Sequence, residues 1–445
     1  MISIARQGGT IVNRSVSVIG LGYIGLPLAM SLCEKGFYVV GVDVDTKKVE
    51  MLQKGITHVM EDCDGVPLQD VLRKHLQERA FHPTTRVAVA AWETSAYIVT
   101  VGVPVNRDGE LDTRPLTAAM EQLGRVIKPN DLVLIRSTVS PGMVEELCIP
   151  ILEQTSRMSP GEDFHVAYAA ERVAEGRAMR EFQTLDVVVG GLTERCAVKA
   201  AELLGQLTSG KIHVTDLRTA QAVKVVENVQ RDLNIALAHE LSRFAEFHNI
   251  DVYELIRMAN THPRVQLLQP GIGVGGFCIP NAYHYMRHSL GSELSLPLLQ
   301  LARHINQDAP ARVVEAVEQG LRSVGKPLSG TVVAILGLGM KDNSNDVRES
   351  PAVVLADLLR DRGAVVRAYD PLVPLQFPFQ TKTLKECLYQ CDALVVATWH
   401  DVFAEEDFPA ALSVRAHGCV VYDRKRHLQP YLESSQIDDK DVVTA

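Results

Sequence analysis

The chain has 445 residues, enough for two or three domains that each bury a core of their own. Apolar residues make up 46 % and charged residues 22 %, the proportions of an ordinary globular protein rather than a disordered one. A formal charge of −9 argues against a polyanion-binding surface, so no nucleic-acid partner is expected, and no run of about 18 apolar residues is present to span a membrane.

The first residues, MISIARQGGTIVNRS, lack an apolar core followed by a cleavage site, so no secretory signal is read there. Eight cysteines stand at 33, 63, 148, 196, 278, 387, 391 and 419 without a CxxC pair, and the 387/391 pair has no second ligand pair nearby. The expectation is free thiols in a reducing cytoplasm, with no metal site.

Residues 15–25, SVSVIGLGYIG, read as an apolar strand running into a glycine turn. LPLAMSLCEKGF then carries a helical period and stops near Gly36, and YVVGVDVD reads as a second strand. Further apolar runs at 86–90 (RVAVA), 97–102 (YIVTVG), 131–135 (DLVLI) and 165–168 (HVAY) read as strands alternating with amphipathic segments. Such alternation predicts a parallel sheet with crossover helices. From about Thr215 to Ala259 the strand signals vanish, and Thr219 to Ile250 contains neither Gly nor Pro. One long helix is predicted there, with a face suited to a partner subunit, followed by further helix. The strand theme restarts at 331–340 (TVVAILGLGM) and repeats at 364–371, 391–399 and 418–423. The predicted architecture is α/β, with two doubly wound domains joined by a long central helix and a helical block. The expected boundaries are 1–210, 211–310 and 311–445.

Gly20, Gly22 and Gly25 form GxGxxG between a predicted strand and a predicted helix, and Asp43 follows 18 residues after Gly25 at the end of the second strand. In that setting the glycines permit the tight turn, the approach of a pyrophosphate and close helix packing, while Asp43 accepts from ribose hydroxyls. The pattern is Rossmann-like and points to NAD, because an acidic residue there repels a 2′-phosphate. Lys224 and Asn228 lie one turn apart on the long helix, which suits either a solvated face or an oxyanion. STVSPG places Thr138 just beyond a strand, and AAERVAEG sets Glu171 and Glu175 four apart, on one helical face or on the surface. The segment GIGVGGFCIP (271–280) surrounds Cys278 with glycines. It reads either as a turn with a small buried thiol or as a nucleophile cleared for a bulky ligand. GLGMKDNSNDVRESP (337–351) is a second glycine turn, with Lys341 and Arg348 suited to phosphate oxygens and Asn and Asp suited to turns and caps.

Taken together, GLGYIGLPLA, VGVPVNRDGELD, STVSPG, AERVAEG, KVVENVQRDLNIALAHEL, HPRVQLLQPGIGVGGFC and GLGMKDNSNDVRESP resemble, in order, the nucleotide-sugar 6-dehydrogenases (the UDP-glucose/GDP-mannose dehydrogenase family). The resemblance covers about 15 to 430 and is nearest to the UDP-N-acetyl-D-mannosamine dehydrogenase branch. It implies a first domain that binds NAD, a central dimerisation block that carries the cysteine loop, and a last domain that binds the UDP-sugar. It also implies a cytoplasmic homodimer that feeds polysaccharide synthesis. C6 of the sugar is oxidised twice, through a thiohemiacetal and a thioester on cysteine. By resemblance Cys278 is the nucleophile, Lys224 and Asn228 stabilise the oxyanion, and Thr138 and Glu171 position water and assist proton transfer. Gly20, Gly22, Tyr23, Ile24, Gly25, Asp43, Lys48, Thr138 and Arg348 match cofactor positions. Glu175, Lys224, Asn228, Arg264, Leu267, Gln269, Gly275 and Lys341 match substrate positions.

Three departures stand out. Ala282 replaces an Asp that the family carries four residues after its cysteine, Ala170-Glu171 replaces Pro-Glu, and Asp423-Arg424-Lys425 replaces Asp-Gly-Arg. Two alternatives therefore stay open: a variant dehydrogenase for UDP-GlcNAc, UDP-glucose or an unusual sugar with an altered hydrolysis step, or a non-catalytic binder of NAD and nucleotide sugar.

Overall fold

The computed structural model describes residues 14–63, 65–106, 108–174, 176–291 and 293–434. The segment read for a secretory signal and Glu175 lie outside the described residues, apart from Arg14 and Ser15 of the former. Among the described residues two compact units emerge, one within 1–227 with 284–295 and one within 228–283 with 296–445.

The first unit is built on strands β1 (Ser15–Ile19), β2 (Tyr38–Val42), a short hairpin β3 (Asp62–Cys63) and β4 (Val66–Pro67), β5 (Phe81–Thr84), β6 (Ala96–Val99), β7 (Leu132–Ile135), β8 (His165–Tyr168), β9 (Val187–Gly191) and β10 (Ile212–Asp216). Outside the hairpin, these strands form one sheet in the order β10-β9-β8-β7-β6-β1-β2-β5. All neighbours are parallel except β8 and β9. The chain builds outward from β1 in one direction through β2 and β5, then returns to β6 and builds in the other. That reversal puts a crevice at the carboxyl ends of β1 and β6, where doubly wound sheets take ligands. Helix Gly25–Glu34 is buried from Gly25 through Cys33, because it packs on helices Leu68–Gln77 and Ala178–Thr184 as well as on the sheet.

The run RVAVA was expected as a strand, and the structure corrects this: Val87–Glu93 is helical. Val87 and Ala90, three apart, supply its buried face, and alanine favours helix over the strand that a two-residue alternation suggests. The neighbouring strand is Phe81–Thr84 instead. Its Pro83 is tolerated because β5 is a sheet edge, where one missing N–H costs no ladder bond.

The long helix runs Leu217–Phe247, 31 residues. In the second unit, β11 (Val332–Leu336), β12 (Val365–Tyr369), β13 (Ala393–Val396) and β14 (Val420–Tyr422) form a parallel sheet ordered β12-β11-β13-β14. Along β11, Val333 and Ile335 enter one apolar cluster and Ala334 and Leu336 another, so both faces are covered. Among the described residues no helix is long and apolar enough to cross a membrane.

Candidate functional site

At the end of β1, Gly20 takes φ +97°, and a Cβ there would sit 3.2 Å from the Thr100 backbone just past β6. A Cβ on Gly25 would lie 1.8 Å from the Gly20 carbonyl oxygen, so only glycine lets helix Gly25–Glu34 start so near the turn. Gly22 differs: nothing lies within 4 Å of where its Cβ would point. That is the open backbone a pyrophosphate needs, beside a helix N-terminus. Tyr23 and Ile24 complete the turn, both half-buried.

Asp43, at the end of β2, locks this turn from the side. Its Oδ2 accepts from Leu21 N at 2.8 Å and from Lys48 Nζ at 2.9 Å, and its Oδ1 accepts from Asp45 N at 3.0 Å. Burial opposes its ionisation, but the Asp45 N–H, the Lys48 ammonium and the Leu21 N–H outweigh it and hold the carboxyl below its ordinary value. The charge of Lys48 is thereby engaged by Asp43 rather than offered to a 2′-phosphate. An open glycine, a helix start and an ionised Asp43 fit NAD.

Thr138 is half-buried beyond β7. Glu171, beyond β8, is almost fully buried and fully engaged: Oε1 accepts from Arg172 N (2.7 Å) and Val173 N (3.0 Å), and Oε2 accepts from Arg136 Nη2. The Nε and Nη1 of Arg136 are buried without a hydrogen-bond partner among the described residues, beside a cavity of about 10 Å³ that Glu171 also lines. That space suits about one water molecule. Lys224 is half-buried on the long helix in this same unit.

In the second unit the cysteine segment is pinned at several points. Asn228 Nδ2 donates to the Cys278 carbonyl at 3.1 Å, and Gly276 N donates to the Arg348 carbonyl at 3.0 Å. A Cβ on Gly275 would fall 2.7 Å from Pro351 Cδ, so that glycine also serves close packing. Cys278 is exposed, whereas six cysteines are buried and Cys63 is half-buried. Ala282 is 1 % exposed in the first turn of helix Ala282–Leu290. Leu267 is half-buried, with its N–H on Asn260 Oδ1 at 2.7 Å, while Arg264 and Gln269 are exposed.

The second glycine turn closes on Asp370, whose Oδ2 accepts from Leu338 N (2.6 Å) and Gly339 N (3.0 Å). A loop from 340 to 350 follows and carries the half-buried Lys341 and Arg348. Arg348 Nε lies 2.8 Å from Asp346 Oδ1, and its guanidinium carbon lies 5.0 Å from the Phe277 ring centroid. Arg424 engages Ser242 and Glu246 on the long helix, and Lys425 reaches Asp342 at 3.3 Å.

Sequence reading missed His58, which meets the Tyr23 ring edge-on at 6.0 Å. Its Nε2 is buried without a partner among the described residues, and burial, then the Lys48 charge, lower its basicity. It missed Arg136 as well. The available signal was a cation directly after a predicted strand and just before STVSPG.

The comparisons agree in order along the chain. Residues 14–208 match the NAD binding domain of the UDP-glucose/GDP-mannose dehydrogenase family, 218–308 its central domain and 334–430 its UDP binding domain. The UDP-N-acetyl-D-mannosamine dehydrogenase of Yersinia pestis is 36 % identical over 408 residues, covering 88 % of this chain and 94 % of that one. The enzyme of that name from Pyrococcus horikoshii is 32 % identical over 415 residues, covering 93 % and 96 %. A solved structure of the UDP-D-ManNAc dehydrogenase from Pyrococcus horikoshii superposes with a TM-score of 0.84 at 32 % identity, covering 92 % of this chain and 94 % of that one. With three successive domains of one family matched in sequence, this chain belongs to the UDP-glucose/GDP-mannose dehydrogenase family.

Proposed function

We propose that the chain is an NAD-dependent oxidoreductase that converts the C6 hydroxymethyl of UDP-N-acetyl-D-mannosamine to a carboxylate, with Cys278 as nucleophile. The observation that carries the reading is the exposed thiol of Cys278 in a glycine-lined segment, in a chain whose other thiols are buried or half-buried. Bound NAD supplies the hydride acceptor for each of the two oxidations. The alcohol first loses a hydride and a proton to become an aldehyde. The Cys278 thiolate adds to that carbonyl carbon, and the oxygen takes a proton to give a thiohemiacetal. Loss of a second hydride and that proton leaves a thioester, which water cleaves to the carboxylate and the free thiol. In this reading Lys224 and Asn228 carry the oxyanion, and Thr138 and Glu171 serve water and proton transfer. Glu175, Arg264, Leu267, Gln269, Gly275 and Lys341 hold the nucleotide sugar, and Arg348 reaches the cofactor.

The domain limits proposed are 1–210, 211–310 and 311–445, in a cytoplasmic homodimer assembled through the central helical block. Leu237, Phe244 and Phe247, all exposed on the long helix, support that assembly. Sedimentation of Phe244→Glu checks it: monomers support the dimer face, and an unchanged mass removes it.

Incubation of the purified protein with NAD⁺ and a panel of UDP-sugars tests the activity. Two NADH per UDP-N-acetylmannosamine, and almost none from Cys278→Ser, is the expected result. Wild-type turnover in Cys278→Ser overturns the covalent route, and tight binding without NADH from any sugar overturns the activity.

A further inference from the structure

The cysteine segment begins where a buried polar chain ends. Asp232 on the long helix accepts through Oδ1 from Arg303 Nη1 (2.7 Å) and Asn306 Nδ2 (2.7 Å), and its carbonyl also accepts from Asn306 Nδ2 (2.8 Å). Two acceptors thus commit the amide nitrogen of Asn306 toward Asp232. The amide oxygen is left facing His239 Nδ1 at 3.0 Å. An acceptor there requires Nδ1 to carry the proton, and His239 Nε2 is then a bare lone pair, 3.3 Å from the Gly271 N–H that donates to it. Asp232, His239, Arg303 and Asn306 are each at least nine-tenths buried.

We propose that His239 is a positioning residue for the cysteine: locked as one tautomer by Asn306, it anchors the Gly271 N–H and so fixes where the segment 271–280 leaves the helical block. This rests on the reading of Cys278 as nucleophile. The same peptide is also tied through its carbonyl, where Tyr253 Oη donates to Pro270 at 3.2 Å. The other ties lie further along the segment, at Gly276 N and at the Cys278 carbonyl, so His239 and Tyr253 together hold the end that those do not. Neighbouring elements reinforce the neutral ring. Burial, then the charges of Arg312 on helix Ala309–Ser323 and of Arg424 after β14, push its pKa down to about 4. A proton on Nε2 would set two donors against each other at Gly271.

Three variants of the full chain separate the contacts. His239→Leu removes both, His239→Asn keeps a donor for Asn306 but falls short of Gly271, and His239→Gln extends an amide oxygen toward Gly271. Backbone hydrogen exchange and steady-state kinetics with NAD⁺ and UDP-N-acetylmannosamine are the readouts. For the Leu and Asn variants we expect exchange over 271–280 to rise about tenfold and kcat to fall ten- to a hundredfold, with a smaller rise in KM because Gly275 lies in the same segment, as a misplaced reactive group demands. His239→Gln should recover most of both. Wild-type exchange at 271–280 in His239→Leu, or exchange raised equally along the whole helix Leu217–Phe247, overturns the proposal. Turnover by Cys278→Ser alongside the expected exchange pattern removes the nucleophile reading and leaves the anchor. An inactive Cys278→Ser with a wild-type His239→Leu does the reverse.

Discussion

The two glycine turns are built alike and used differently. Each follows the first strand of its sheet, each hands its first glycine N–H to the end of the neighbouring strand, and each is clamped by an aspartate from just beyond that strand. At the first, helix Gly25–Glu34 starts at once and Gly22 is left open. At the second, a loop from 340 to 350 intervenes, and a Cβ on Gly339 would lie 2.3 Å from the Ser344 carbonyl oxygen. Asp370 there also accepts from Leu372 N, Val373 N and the buried His400, whose Nδ1 takes the Asn343 N–H and whose Nε2 therefore carries the proton. One turn keeps its backbone for a visitor. The other spends its backbone on holding a loop.

The sharpest way to break this contrast is Asp370→Ala. It strands four backbone N–H groups and a buried imidazole, so we expect a loss of about 3–5 kcal/mol in stability, with NAD affinity reduced less than by a change at Gly22, through Arg348 on the loosened loop. A variant that melts with the wild type would mean the clamp is idle. Acid should act elsewhere first. Asp43 and Asp370 are both held below the ordinary carboxyl value despite burial, so their contribution persists until the pH falls below about 3.8. His239 instead gains its proton more readily unfolded, and its penalty grows as the pH drops from 6.5 to about 4. By linkage that amounts to about 3 kcal/mol. Urea titrations between pH 7 and 4.5 should show a smaller loss in His239→Gln than in wild type, the remainder coming from His58, His165 and His427, which burial also holds below the ordinary histidine value, and parallel curves would refute it.

Gly22→Ala and Gly339→Ala form the next test. The first should raise the NAD Kd at least about tenfold, roughly 1.4 kcal/mol, while thermal stability stays put. The second should cost about 1–3 kcal/mol of stability through overpacking and weaken NAD binding less than the first does. Calorimetric titration and melting of both variants decide it, and a swapped outcome would dissolve the distinction. Smallest is Asp43→Asn, expected to weaken NAD about fivefold and to narrow the preference over NADP, with about 1 kcal/mol lost from the turn. Unchanged binding of both cofactors would remove Asp43 from ribose recognition.

Much of this was legible because the chemistry was local. GLGYIG, its strand and Asp43 lie within 30 residues, and their spacing states both turn and ligand. RVAVA misled because alternating Val and Ala suits strand arithmetic, while burial three residues apart decided for helix. Phe81–Thr84 was hidden by Pro83, whose tolerance depends on an edge position no local pattern reveals. Pairs such as Arg136 with Glu171 and Asp370 with His400 are 35 and 30 residues apart, so only the fold brings them together. His239 looked like one more residue of a long amphipathic helix. Its partner sits 67 residues away.

The exposure of Cys278 carries a liability. On the proposed reading of Cys278 as nucleophile, a thiol open to a sugar is also open to peroxide, and its oxidation to the sulfenic acid would silence the site before the buried thiols were touched. Under mild oxidants, then, activity should fall in step with oxidation of the peptide that carries Cys278, while the fold stays intact.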